Sequence, residues 1–244
     1  VQADRFATLG TARDRIAIGG SLKLPNSNAP LDKTFIANIR KAATGRPILL
    51  AASTHAGEER IVIDAARQLG DGWFTLLAPR HPERGGDIAA MAAAAGMNHL
   101  CRSSGAGPNS GHNIYIIDTL GEMASLFAVT DVVFLGGSLV PLGGHNPIEP
   151  AAAGLPVISG PHVFRNQAEF DALAERDLLQ IVVDAEGLAH AAIAQSDAAG
   201  QSDVAGQDRA TAKAALKFAA EAGKRPELAA RSILEVIAKI VKDR

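Results

Sequence analysis

The stretch LGGSLVPLGGHNPIEP, residues 135–150, holds four glycines and three prolines but one His, one Asn and one Glu. It follows the apolar run DVVF and leads into AAAG, a small-residue helical pattern. A tight turn between a strand and a helix needs one or two glycines. Four imply that another piece of chain, or a ligand, comes very close to the backbone.

Working outward, apolar runs alternate with helical patterns. PILLAAS (47–53), WFTLLAP (73–79), NIYIID (113–118), DVVFLG (131–136), PVISG (156–160) and LLQIVVD (178–184) are the strand candidates. Helical spacing fills 57–70, 87–96, 121–130 and 164–177, and a short helix follows Pro147. Six continuously apolar strands alternating with helices predict an α/β fold, a Rossmann-like doubly wound parallel sheet. The segment AQSDAAGQSDVAGQDR (194–209) reads as a connection or a poor helix. The last stretch, 227–244, has an amphipathic helical pattern with a basic end.

Composition narrows the function. The 244 residues carry 24 Lys and Arg against 26 Asp and Glu, so no nucleic-acid partner is indicated. One cysteine, Cys101, rules out an internal disulfide. No apolar run approaches the roughly 20 residues that cross a bilayer. The first residue is Val, and the opening VQADRFATLGTARDRIAIGG reads as a helix end, a turn and a strand, so the chain is expected to be part of a longer protein. The fingerprints GxxxxGK[ST], HExxH, paired CxxC and GxSxG are absent, and the scattered His residues suggest no metal site.

Ligands of doubly wound sheets bind beyond the carboxyl ends of the strands. After the first strand, STHAGEE (53–59) places Ser53 and Thr54 as a polar rim or as caps of the next helix, with Glu58 and Glu59 in its first turn. PRHPER (79–84) offers Arg80 to a phosphate or carboxylate. In DTLGEM (118–123), Thr119 and Glu122 have capping-box spacing, which makes Glu122 a lesser candidate. In the opening stretch, Asn146 is the expected N-cap, Pro147 the first helical residue and Glu149 the third. Gly136, Gly137, Gly143 and Gly144 before that helix would let bare amides face an anion such as phosphate. Glu149 suits a vicinal diol such as a ribose.

STHAGEE, PRHPER, DTLGEM, GGSLVPLGGHNPIEP and GPH (160–162), in this order and at these intervals, closely resemble the carboxyl-terminal half of the Kdo (3-deoxy-D-manno-octulosonic acid) transferases of lipopolysaccharide biosynthesis. The resemblance runs from about residue 18 to residue 184. It implies a glycosyltransferase-B architecture whose carboxyl-terminal domain binds CMP-Kdo without metal or cofactor. The family's amino-terminal domain binds the lipid A precursor at the inner membrane and is expected to supply the catalytic base. On this resemblance, residues 1–25 are a remnant of that domain and the linker, 26–225 the nucleotide-sugar-binding domain, and 226–244 a terminal helix whose apolar face invites self-association. The physical reading of the residues agrees with that role: the donor-binding candidates are Ser53, Thr54, Arg80, Glu122, Gly137, Ser138, Gly143, Gly144, His145, Asn146 and Glu149, with the phosphate expected on amides around Ser138 and Gly144–Asn146. The family's linker reads Gly-Asn-Leu-Lys. Here it is Gly20-Ser21-Leu22-Lys23, which keeps Lys23 and loses the Asn amide. Two other readings stay open: a different sugar-nucleotide enzyme of this architecture, such as a UDP-GlcNAc 2-epimerase, and a non-catalytic nucleotide-binding module.

Overall fold

The structure, a computed structural model, describes residues 2–16, 30–200, 210–224 and 234. Lys23, most of the expected strand at 15–20 and all but one residue of the expected helix at 226–244 lie outside them. The chain divides into two compact units: 26–218, and a smaller one formed by 1–25 with 219–244. In the smaller unit, helix α1 (Gln2–Thr8) is followed by a turn, and Arg13 pairs with Asp4 at 3.3 Å on the surface.

The larger unit is built on seven strands: β1 (Ile48–Thr54), β2 (Phe74–Pro79), β3 (His99–Cys101), β4 (Ile114–Ile116), β5 (Val132–Leu135), β6 (Val157–Ser159) and β7 (Leu179–Ile181). They lie in the order β3-β4-β2-β1-β5-β6-β7, and every pairing is parallel. The six expected strands are all present. The seventh, β3, is an edge strand that the apolar pattern did not reveal. The helices are α2 (Lys33–Ala43), α3 (Glu58–Leu69), α4 (Gly85–Ala94), α5 (Met123–Val129), α6 (Ile148–Ala152), α7 (Gln167–Ala174), α8 (Ala185–Gly200) and α9 (Ala210–Gly223). The polar segment at 194–209 is helical through Gly200, as the end of α8.

Both sheet faces are covered, which is why the central strands are apolar at nearly every position. On one face Leu49, Ala51, Leu77, Ile116, Val132 and Phe134 pack with Val62 and Ile63 of α3, Ile88 of α4 and Leu188 of α8. On the other, Phe35 of α2 meets Tyr115 of β4, ring to ring at 6.5 Å. Helix α2 starts where the Asp32 carboxylate accepts from the Phe35 amide at 2.9 Å, an N-cap of the usual kind.

The two central strands end differently from their neighbours. β1 has an irregular register between Ala52 and Thr54, and Ser53 there adopts φ 55. A non-glycine residue in the left-handed region is uncommon, and it re-aims the strand end. Directly beside it, a Cβ on Gly136 would stand 2.6 Å from the Ser53 carbonyl oxygen and 2.7 Å from Thr54 Cα. The answer to the glycine question at this position is chain, not ligand: two strand ends touch through their backbones. Gly136→Ala is therefore expected to destabilise the fold by about 3 kcal/mol, because neither backbone can retreat. Chemical denaturation checks this, and a loss below the size of an ordinary surface substitution would contradict it.

Candidate functional site

A cleft of about 370 Å³ opens at the carboxyl ends of β4, β2, β1 and β5, where a doubly wound sheet is expected to bind ligands. Its walls include Ser53, Arg80, Thr119, Glu122, His145, Asn146 and Glu149, with Ile117, Met123, Leu126 and Phe127 as apolar lining. Six of the residues singled out from sequence (Ser53, Arg80, Glu122, His145, Asn146 and Glu149) thus meet in one place. Thr54, Gly137, Ser138, Gly143 and Gly144 do not line it.

The reason lies in Glu58. This carboxylate is wholly buried at the start of α3. It accepts from the amides of Gly137 (2.7 Å), Ser138 (2.9 Å) and Leu139 (2.8 Å), and from that of His55 (2.9 Å). The amides around Ser138, which the sequence offered to a phosphate, are already occupied by an internal anion. The same chemistry that suits phosphate is used here to tie the loop after β5 to the helix after β1. Ser138 completes the knot: its hydroxyl donates to the Leu135 carbonyl at 2.7 Å and accepts from the Gly160 amide at 2.8 Å. Gly143 and Gly144 are buried against the segment before α7. A Cβ on Gly143 would lie 2.5 Å from Arg165, and the Gly144 carbonyl accepts from the Asn166 amide group at 2.8 Å.

Three further expectations change at close range. Neither Ser53 nor Thr54 caps α3: Gly57 precedes it, Ser53 lies within β1, and Thr54 is fully buried with no partner for its hydroxyl. Thr119 and Glu122 do not form a capping box, since α5 begins only at Met123. Instead the Thr119 hydroxyl donates to the Glu122 carboxylate, which also accepts from Arg102 Nε at 2.8 Å. Helix α6 begins one residue late, with the Asn146 side chain accepting from the Ile148 amide at 3.2 Å.

Of the two arginines in PRHPER, Arg84 is committed. It holds buried Glu59 through Nε at 3.3 Å and Nη2 at 3.2 Å. Arg80 makes no ion pair among the described residues and stands exposed at the cleft. The Glu149 side chain also makes no hydrogen bond or ion pair among them, and burial raises its pKa.

Sequence reasoning missed a partner for His145. Its Nε2 lies 2.9 Å from His55 Nε2, with the rings nearly parallel and centroids 5.1 Å apart. Gly137 makes room for this pair, because a Cβ there would come within 3.1 Å of the His145 ring. A bond between two Nε2 atoms needs one proton and one lone pair, so the two rings cannot both be charged. Burial chiefly, then His55 and Arg80, push His145 down to about 4. Burial also lowers His55. The signal in the sequence was present, since His55 sits inside STHAGEE, but nothing in it pointed across 90 residues.

No protein-family model matches the chain. A 3-deoxy-D-manno-octulosonic acid transferase of Haemophilus influenzae is 35% identical over 196 residues, which is 78% of this chain and 46% of that protein. One of Bordetella pertussis is 41% identical over 165 residues, 64% of this chain and 38% of that protein. The chain therefore spans less than half the length of these curated relatives. Among solved structures, the C-terminal CMP-Kdo binding domain of WaaA from Acinetobacter baumannii aligns with a TM-score of 0.65 at 26% identity, covering 78% of this chain and 98% of that one. Anabaena HepE, solved with UDP and glucose, gives 0.63 at 13% identity over 97% of this chain and 60% of its own, a likeness of fold alone. The fold is that of a glycosyltransferase-B domain. Over most of its length the chain is related to the Kdo transferases.

The clasp and the histidine pair each have a measurable consequence. Glu58→Ala strands buried donors and is expected to cost about 3 kcal/mol. In hydrogen exchange, the amides of Gly137, Ser138 and Leu139 should lose protection before the strands do; unchanged protection would contradict the clasp. The second consequence concerns pH. His145 in the folded chain stays neutral well below its ordinary 6.5. The unfolded chain therefore binds the extra proton first, and stability falls as pH drops from about 6.5 towards 4. His145→Gln should flatten the slope in that window, as measured by denaturation at a series of pH values.

Proposed function

We propose that this chain is the donor-binding half of a Kdo transferase, holding CMP-Kdo for transfer to a lipid A precursor. The observation that carries the reading is the cleft itself: the Arg80 and Glu149 side chains face it with no hydrogen bond or ion pair to each other or to any other described residue. A cation and an acceptor left open at one site suit a ligand with an anionic and a hydroxylated part. Arg80 holds the phosphate or the Kdo carboxylate in its guanidinium fork. Glu149 accepts from the ribose hydroxyls. Ser53, turned by its left-handed backbone, and Asn146 complete the polar rim. As CMP leaves, the electron pair of the broken glycosidic bond settles on its phosphate, and Arg80 stabilises that growing charge from a fixed position.

The transferase relatives and the CMP-Kdo binding domain from Acinetobacter support this choice of donor. On the same reading, the acceptor site and the general base lie in the part of the relatives that this chain does not match, and the acceptor is met at the cytoplasmic face of the inner membrane. Residues 1–25 then correspond to the end of the acceptor domain and the linker, 26–225 to the donor domain and 226–244 to a terminal segment. No cofactor or metal is assigned a role. Among the described residues no cluster of three or more His, Cys, Asp or Glu is arranged for a metal, and no helix is long and apolar enough to cross a membrane.

Calorimetric titration with CMP tests the proposal, with UDP as the control. CMP is expected to bind selectively, and Arg80→Ala and Glu149→Ala each to weaken it about tenfold or more, some 1.4 kcal/mol. A preference for UDP would place the chain with another branch of the same architecture.

A further inference from the structure

Two carboxylates face the cleft, and the proposed contacts use only Glu149. The other, Glu122, is held at both oxygens by neighbouring side chains. Its side chain is 18% exposed. Arg102 Nε grips one oxygen at 2.8 Å, and the Thr119 hydroxyl holds the other. Arg102 is itself fixed, with its guanidinium 4.9 Å above the Phe35 ring of α2. Around the carboxylate the lining is apolar: Ile117, Met123, Leu126 and Phe127. The cleft thus combines an apolar lining with one acceptor whose position is fixed.

The sheet order sets the spacing. The cleft crosses the ends of β4, β2, β1 and β5, three strand spacings or roughly 14 Å. Glu149 follows the strand at one end of that row and Glu122 the strand at the other. Glu149 and Glu122 thus flank the cleft from opposite ends of that row.

Resting on the donor-domain reading, we infer that Glu122 selects the base, accepting a hydrogen bond from the exocyclic amino group of an aminopyrimidine nucleotide. A carboxylate accepts and does not donate. Cytosine presents an N4 amino donor where uracil presents a carbonyl oxygen. Uracil in the same cleft would set oxygen against oxygen and leave both unpaired, and a site built around one hydrogen bond rejects the analogue that lacks it strongly. The capping-box reading cannot account for this carboxylate, because α5 begins after it.

The test is on the ligand first. The unaltered chain is titrated with CMP, UMP and N4,N4-dimethyl-CMP, whose N4 carries no hydrogen. CMP is expected to bind about tenfold or more tightly than the other two, which should be alike. Glu122→Gln can turn its amide NH2 towards a carbonyl, so the ratio of CMP to UMP affinity should collapse to within about threefold. A melting curve on the variant reports the fold, and the ligand comparison needs no variant at all. Equal binding of CMP and its dimethyl analogue, or full discrimination retained by a folded Glu122→Gln, overturns the assignment while leaving the donor domain standing. Failure of all three nucleotides to bind removes the donor-domain reading and the base selector with it.

Discussion

One buried carboxylate organises this domain. Glu58 takes four backbone amides, three from the loop after β5 and one from the turn after β1. A charged acceptor bonded this way is worth more than a neutral one, and its burial is tolerated because amide donors replace the lost water. The clasp needs the two strand ends in backbone contact, which Gly136 permits. It needs a sharp turn at Gly137, where positive φ also clears space for the His145 ring. Once the loop is tied down, His145, Asn146 and Glu149 stand along the cleft wall at fixed positions. The rigidity of the site thus derives from an interaction that takes no part in it.

This division of labour resolves what the glycines are for. A glycine-rich loop before a helix has two uses: its amides meet a ligand, or its backbone meets another part of the protein. Here the second holds at Gly136, Gly137 and Gly143, where the near atoms belong to Ser53, His145 and Arg165. On the proposed reading the ligand chemistry falls to Glu149 and to Arg80, just past the end of β2. A loop held by an internal anion presents no bare amides at 137–139, so the proposed reading takes its positive charge from the Arg80 guanidinium.

The fold was legible where burial on both faces made strands continuous in apolar residues. β2, β4, β5, β6 and β7 lie within the expected runs, and β1 overruns its own by one residue, Thr54. β3 escaped because it is three half-buried residues, His99, Leu100 and Cys101, at the sheet edge. An edge strand has neither the length nor the apolar continuity that periodicity detects. The meeting of six candidate residues in one cleft was legible too, because topology places residues just past strand ends there. What local pattern could not supply were the pairings across the chain. Glu58 read as a dipole-favoured residue of a first turn, and Glu122 as half of a capping box; both are local rules that long-range partners overrode. His55 and His145 are separated by 90 residues, and only the parallel adjacency of β1 and β5 brings them within a hydrogen bond.

The central claim is that loop amides belong to Glu58 and that nucleotide recognition belongs to the side chains of the cleft. A crystal structure of the chain with CMP tests it most directly. The account predicts ribose hydroxyls on Glu149, phosphate oxygens at Arg80, and the Gly137, Ser138 and Leu139 amides still bonded to Glu58. A phosphate seated on those three amides, with Glu58 displaced from them, would contradict it.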